Sequence, residues 1–506
     1  MSFKTLVETS NAITPLNLTP TLEQQEIFTT FQNLLPMART SETNLLVEAL
    51  AGTGKTTTVI QLANLNPDVS FLMVCFNSKN AAELTKRCQK HGIYNLTALT
   101  LHKIAYDWYA SETGKRPTNF LDVNWLVDNI ARKVETAPKQ QKNVAWNITK
   151  IVKDFCNSSY GSWSEFLKYN EELFKLGAAS LTGAEMYIQE ALNLNKTKSI
   201  PITLDGMIKV FELYNCPLTT SDKVIIIEEY QDINSNQASI LAKQENFKIA
   251  IGDTNQNIYE WRGGGEFVSI VSEQNWTTKS LSSSFRTNAK DARLANILLK
   301  AINEDNLTLK GLSEKKTVET TAYLSRGNAA ALIKAVELLN EKVEFALTLD
   351  LPVLWSELWY LHFLDKGDTK GKKAPTSLNW LKTKSDLAGA IEHSPEIKRL
   401  MGLLNLLNWM EGGLYGMQKK FEALAKATEG KVLPITLSTI HKAKGLEWDE
   451  VVLQDDVFDS LPSFELVGDR GEQMAALRLL YVAVTRAKVR TQMSEELEIL
   501  IENFNF

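Results

Sequence analysis

Apolar and polar positions follow two periods along this chain, and the places where the period changes divide it. Residues 45–47 form a short apolar run that enters a glycine-containing turn, and 57–65 then carry the spacing of a helix buried along one side. Residues 69–76 are almost continuously apolar, a helix is predicted from about residue 81, and 96–101 read as another strand. Strands without polar alternation, separated by helical stretches, predict a parallel sheet covered on both faces. From 107 to 204 the pattern turns helical and aromatic, with Trp108, Trp125, Trp146 and Trp163 expected in its core. The sheet resumes at 223–232 and 249–252. A second α/β stretch follows, with a strand at 319–324, a helix at 329–339 and a strand at 343–347, and 351–430 is again helical. Strands at 434–438 and 451–453 and a helix with a basic face at 478–488 complete the pattern. Two α/β units, each with a helical insertion, are therefore expected, although no internal sequence repeat is evident. Residues 1–20, polar and carrying Pro15 and Pro20, read as an extended arm.

Composition narrows the class. The 506 residues are 44% hydrophobic, enough for real cores, and 55 Lys and Arg against 60 Asp and Glu leave a net charge of −5. A nucleic-acid surface would have to be a local basic groove rather than a basic whole. Cys75, Cys88, Cys156 and Cys216 are too dispersed for a disulfide framework or a zinc site and suit a reducing compartment. With no apolar run near the length of a membrane span and no signal pattern, a cytoplasmic protein without a membrane partner is expected.

The chemistry centres on Ala49-Leu50-Ala51-Gly52-Thr53-Gly54-Lys55-Thr56-Thr57. Between a strand and a helix, Gly52 and Gly54 let backbone N–H groups close around phosphates, Lys55 brings a point charge and the Thr56 hydroxyl can ligate Mg²⁺. Ala49 stands where such loops usually have their first glycine. Gln24, at the start of a helix predicted to reach about residue 35, has an amide that can read an adenine edge. The strand at 223–232 ends in Glu228 and Glu229, one acid for a metal and one to activate water. Gln256 is placed to sense a γ-phosphate, and Tyr259 and Trp261 offer aromatic faces to unpaired bases. Phe285 and Arg286 supply a further aromatic face and a guanidinium. The basic loop 365–373 reads as solvated, and Trp355, Trp359, Tyr360 and Phe363 share one helical stretch as core.

Taken together, Ala51–Thr56, Gly252–Gly263, His441–Asp449 and Leu480–Lys488, with the other stretches in the same order, resemble the UvrD/Rep/PcrA-like superfamily 1 DNA helicases. The flavour is that of the F-box DNA helicase branch and some phage helicases. The resemblance implies an α/β fold of two RecA-like P-loop motor domains, each with a mainly helical inserted subdomain. The first would be 21–106 with 205–280 around an insertion 107–204, the second 281–350 with 431–506 around a reduced insertion 351–430. It implies that ATP and Mg²⁺ are bound by Gln24, Gly52, Thr53, Gly54, Lys55, Thr56, Thr57, Gln231, Phe285 and Glu447, with Thr56 and Glu228 at the metal and Glu447 at the ribose. Glu229 would be the general base, Gln231 and Gln256 would couple the γ-phosphate to the nucleic-acid track, and Arg286 and Arg486 would reach that phosphate. Phe285 stands where the family usually has a tyrosine. Asn77, Thr100, His102, Tyr259, Trp261, Arg262, Thr439 and His441 would line single-stranded DNA.

The implied activity is ATP-driven movement 3′ to 5′ along single strands and at single/double-strand junctions, by a monomer. Three departures bear on it. Glu228-Glu229 replaces the usual Asp-Glu, lengthening the metal ligand by one methylene where Mg²⁺ geometry is strict, so a reduced ATPase is expected. The second helical insertion is small for the family, and the chain stops soon after the last motif, so no fused nuclease or interaction tail is expected. Two other readings remain open: an ATP-gated single-strand clamp or nucleoprotein remodeller with weak or no unwinding, and an RNA helicase.

Overall fold

The computed structural model describes residues 18–37, 43–194, 200–258, 265–273, 276–302, 307–431, 433–459 and 470–502. The chain separates into two compact units, one of residues 1–49 and 54–281, the other of 50–53 and 282–506.

In the first unit six strands form one sheet. They are β1 (Asn44–Ala49), β2 (Phe71–Cys75), β3 (Leu96–Thr100), β4 (Val224–Glu228), β5 (Lys248–Gly252) and β6 (Trp276–Leu281). Their order is β3-β2-β4-β5-β1-β6 with every pair parallel. The apolar runs divide by the two-residue period of a strand. Leu46, Leu72, Val74, Ile225 and Ile227 face one core, whereas Leu45, Val47, Met73, Val224, Ile226 and Ile251 face another. Helices Leu22–Leu34, Lys55–Leu65 and Ser78–Lys90 contribute to the second core, and the helical segments between Leu101 and Leu213 to the first. Burial on both faces is why neither set of positions needed to be polar.

The helical stretch departs from expectation at one tryptophan. Trp108 meets Phe211 edge to face at 5.4 Å between ring centres, Trp125 meets Tyr187 and Trp163 meets Phe155, but Trp146 is 47% exposed on helix Gln141–Asn157. That helix buries Val144, Ala145, Ile148 and Val152, and Trp146 falls outside this stripe.

The second unit has a short parallel ladder, β7 (Ser283–Ser284) with β8 (Lys310–Gly311), and a five-stranded parallel sheet. Its strands are β9 (Thr321–Ser325), β10 (Ala346–Thr348), β11 (Ile435–Thr439), β12 (Trp448–Leu453) and β13 (Ala487–Gln492), ordered β10-β11-β9-β12-β13. Helices Asn328–Asn340, Leu351–Asp365, Pro395–Trp409 and Gly413–Thr428 close a core that includes Trp355 and Tyr360, with Trp359 packed against it. Phe363 is half-buried, with the Lys372 ammonium 4.1 Å from its ring centre.

Two sequence expectations change. The helix expected over 478–488 runs instead from Arg470 to Val484, and the next residues enter β13, which pairs with β12. Alternating Lys488, Arg490 and Gln492 suit a sheet edge, and Arg486 is buried rather than part of a basic face. The strand expected over 223–232 stops at Glu228, because Glu229 is left-handed with φ +49° and Tyr230–Asp232 form a 3₁₀ turn. Among the described residues no helix is long and apolar enough to cross a membrane.

Candidate nucleotide-binding site and nucleic-acid track

After β1 the chain turns through two glycines of positive φ, +73° at Gly52 and +84° at Gly54, a region open to glycine at little cost. The Thr53 hydroxyl donates to the Leu50 carbonyl at 2.8 Å. Helix Lys55–Leu65 begins on Gly54 with no side-chain cap, so its first-turn N–H groups suit an anion. Lys55 Nζ lies 3.5 Å from Glu229 Oε1, and Thr56 is half-buried. The Thr57 hydroxyl accepts from the Arg87 guanidinium at 3.0 Å. Gln24 is buried; its amide oxygen accepts from the Thr21 N–H in a capping box, and its amide nitrogen donates to the Thr58 hydroxyl at 2.9 Å. Two of the four hydrogen bonds an amide can make are thus used within the protein.

The acidic end of β4 is built from buried amides and carboxylates. Glu228 accepts from the Phe76 N–H at 3.4 Å and the Asn80 amide at 3.5 Å. Burial, and next the charge of Glu229, push its carboxyl above the ordinary range. A cation ligated by oxygen would relieve that charge, so a carboxylate and a hydroxyl at Glu228 and Thr56 are a donor set that fits Mg²⁺. Gln231, fully buried, donates to Glu229 at 2.6 Å and accepts from the Asp253 N–H at 3.1 Å. Gln256 donates to Asp253 Oδ2 at 2.7 Å. The expected base and the two expected coupling glutamines therefore lie on one hydrogen-bonded path through Asp253. Gly252 permits it: a Cβ there would overlap the Gln231 amide oxygen and come within 2.7 Å of the Tyr230 ring.

Glu48, on β1, was not singled out by the sequence reading. It accepts from the Tyr230 hydroxyl. Burial pushes its carboxyl up to about 7, opposed by the Tyr230 hydroxyl and aided by the Asp253 charge. The available signal was a lone acid in an otherwise apolar run before the phosphate loop; its partner lies 182 residues away in sequence.

In the second unit Arg286 Nε donates to Glu447 Oε2 at 2.7 Å, and Lys488 Nζ meets Glu447 Oε1 at the same distance. Burial acts to raise the Glu447 carboxyl, but the two cations outweigh it and hold the group below its ordinary range. Lys488 as a partner of Glu447 also escaped the sequence reading. Phe285 is 55% exposed. Arg486 is 2% exposed, with its guanidinium donating to the Val482 carbonyl at 3.0 Å, the Leu446 carbonyl and the Thr485 hydroxyl.

The residues expected along the nucleic acid follow strand ends. Asn77, after β2, caps helix Ser78–Lys90 by accepting from the Asn80 N–H at 2.8 Å. Thr100, closing β3, accepts from the Lys103 N–H at 3.1 Å, and burial lowers the basicity of the adjoining His102. Thr439 closes β11 with the same backbone angles as Thr100 to within a degree, placing His441 in the equivalent first turn. Tyr259, Trp261 and Arg262 lie outside the described residues.

The profile of the UvrD/REP helicase N-terminal domain matches residues 31–276, and that of the UvrD-like helicase C-terminal domain matches 434–490, together more than half of the chain. The chain belongs to the UvrD-like helicase family. Among the relatives of this UvrD-like chain are F-box DNA helicase protein 1 of Schizosaccharomyces pombe, 25% identical over 89% of this chain and 55% of the relative, and F-box DNA helicase 1 of Gallus gallus, 25% identical over 90% and 48%. A probable DNA helicase of Mycoplasma pneumoniae is 24% identical over 90% of this chain and 80% of that protein. The chain spans about half the length of the two F-box relatives.

Proposed function

We propose that this UvrD-like chain is an ATP-dependent DNA helicase or translocase that moves 3′ to 5′ on single-stranded DNA. The observation that carries the reading is the path Lys55, Glu229, Gln231, Asp253, Gln256, in which a phosphate-loop lysine and a carboxylate are joined by buried amides to a segment ahead of Tyr259 and Trp261. Lys55 and the loop N–H groups hold the phosphates. Glu229 takes a proton from the attacking water, and Gln231 and Gln256 report the γ-phosphate. Thr56 and Glu228 hold Mg²⁺, which when bound neutralises charge on the β- and γ-phosphates. Gln24 and Phe285 serve the adenine, Glu447 the ribose, and Arg286 and Arg486 the charge that develops in the transition state. Asn77, Thr100, His102, Thr439, His441 and the residues around Trp261 contact the strand.

The proposed division is two RecA-like motor domains, 21–106 with 205–280 and 281–350 with 431–506, bearing helical insertions 107–204 and 351–430. The working form is a cytoplasmic monomer acting at single/double-strand junctions. The names of the F-box relatives support DNA as the substrate.

The test is the ATPase rate with and without single-stranded DNA or RNA, beside unwinding of duplexes bearing a 3′ or a 5′ tail. Stimulation by DNA with unwinding from the 3′ tail is expected. Hydrolysis without unwinding would replace the helicase by a translocase or clamp, and stimulation by RNA alone would replace the substrate.

A further inference from the structure

Glu48 and Tyr230 form a buried polar pair to which the reading above gives no task. Glu48 lies on β1, with Gly252 of β5 opposite it in the ladder and Ala49 leading into the phosphate loop. Tyr230 directly follows Glu229, the proposed base, and is 1% exposed. Its hydroxyl donates to the Glu48 carboxyl, and its ring packs edge to face on Phe267 at 6.4 Å. The position of this side chain is therefore set at both the ring and the hydroxyl.

The backbone between them needs such a fixture. Glu229 is one of three described non-glycine residues with positive φ, a conformation disfavoured for a side-chain-bearing residue that persists only where its surroundings enforce it. The side chains of the next two residues restrain the strained one: Gln231 donates to the Glu229 carboxylate, and Tyr230 is held through Glu48. Asp253 bears on both branches: its N–H donates to Gln231, and its charge acts on Glu48. The groups that bear electrostatically on Glu48 are Tyr230, Asp253, the Thr254 backbone and Lys55.

We infer that Glu48 is a positioning residue for ATP hydrolysis: through the Tyr230 hydroxyl it anchors the left-handed turn that aims Glu229, and so ties the strand leading to the phosphate loop to the base that acts on the phosphate. The inference rests on the proposed ATPase. A residue that aims a base changes turnover and leaves ground-state nucleotide binding nearly intact. A buried acceptor oxygen is what Tyr230 requires, so an amide at position 48 serves and a hydrocarbon does not.

The experiment measures kcat and KM for ATP, and affinity for fluorescent ADP, in wild type, Glu48→Gln, Glu48→Leu, Tyr230→Phe and Glu48→Leu/Tyr230→Phe. Lys55→Ala serves as the inactive reference, and thermal melts establish that each variant is folded. Expected are a loss of about 10-fold in kcat for Glu48→Leu and for Tyr230→Phe, with KM and ADP affinity within about 2-fold. The double variant should be no slower than the worse single one, the mark of groups acting as a unit, and Glu48→Gln should recover most of the rate. Unchanged kcat in Tyr230→Phe, losses that multiply in the double variant, or Glu48→Gln as slow as Glu48→Leu would each overturn the inference while leaving the ATPase standing. A wild type no faster than Lys55→Ala would instead overturn the ATPase, and the inference with it.

Discussion

The two candidate clusters, one in each unit, treat their charged groups in opposite ways. In the first, near the phosphate loop, Glu228 and Glu48 are both raised by burial in spite of the Lys55 charge, and Lys55 pairs with Glu229. In the second, Glu447 carries two cations, Arg286 and Lys488, and is lowered, while Arg486 is bound up with main-chain carbonyls. The difference teaches where ligand binding gains and where it costs. A cation entering beside Glu228 relieves an existing penalty, whereas Arg286 reaches a phosphate only by exchanging one charge-assisted hydrogen bond for another. On the proposed reading, the first cluster gains from a ligand, and the second gives up an ion pair to serve one.

The largest test of this contrast is Lys55→Ala, which removes the cation paired with Glu229 from the first cluster. ATP hydrolysis should fall to background while single-strand binding persists, read by a coupled ATPase assay and fluorescence anisotropy. Arg486→Ala comes next, with an expected loss on the order of 10³ in kcat if it acts as an arginine finger. Its bonds to Val482 and Leu446 add a structural role. A lowered melting temperature with near-normal turnover would assign it wholly to packing.

Glu228→Asp should raise kcat by about 10-fold, since a carboxylate one methylene shorter restores the ligand length implied by the family resemblance, with a changed Mg²⁺ concentration dependence as the signature. An identical rate would show that the longer side chain costs nothing.

The smallest effect sharpens the comparison through pH. A carboxyl raised to about 7 in the folded state binds its proton more tightly there than in the unfolded chain. Glu48 therefore subtracts stability progressively as pH rises from the ordinary carboxylate range to about 7, and by a constant amount above it. Glu48→Gln should make the protein more stable than wild type at pH 8, by on the order of 1–3 kcal/mol, and nearly equal at pH 4.5. Urea titrations at the two pH values check this, and equal differences at both would place Glu48 outside the buried charge imbalance.

Much of this organisation was legible in the chain. The buried strands announced themselves because a strand covered on both faces has no reason to be polar, as at Val224–Ile227. The phosphate loop was legible because it is local, with Gly52, Gly54, Lys55 and the following helix within a few residues. Thr100-Leu101-His102-Lys103 and Thr439-Ile440-His441-Lys442 are a short repeat that a search for long periods passes over. Their common backbone at Thr100 and Thr439 brings it out.

The sequence by itself determined where parallel strands run, which loop turns through glycines ahead of a helix and which family the chain resembles, because each depends on neighbours a few positions apart. Only the tertiary structure decided that Glu48 answers Tyr230, that Gln231 joins Glu229 to Asp253, that Glu447 takes both Arg286 and Lys488, and that Arg486 leaves the surface. The physical reason is that charge balance depends on burial and on partners brought together by strand order. Sheet order β3-β2-β4-β5-β1-β6 sets β5 beside both β1 and β4, and no local pattern of residues encodes that adjacency.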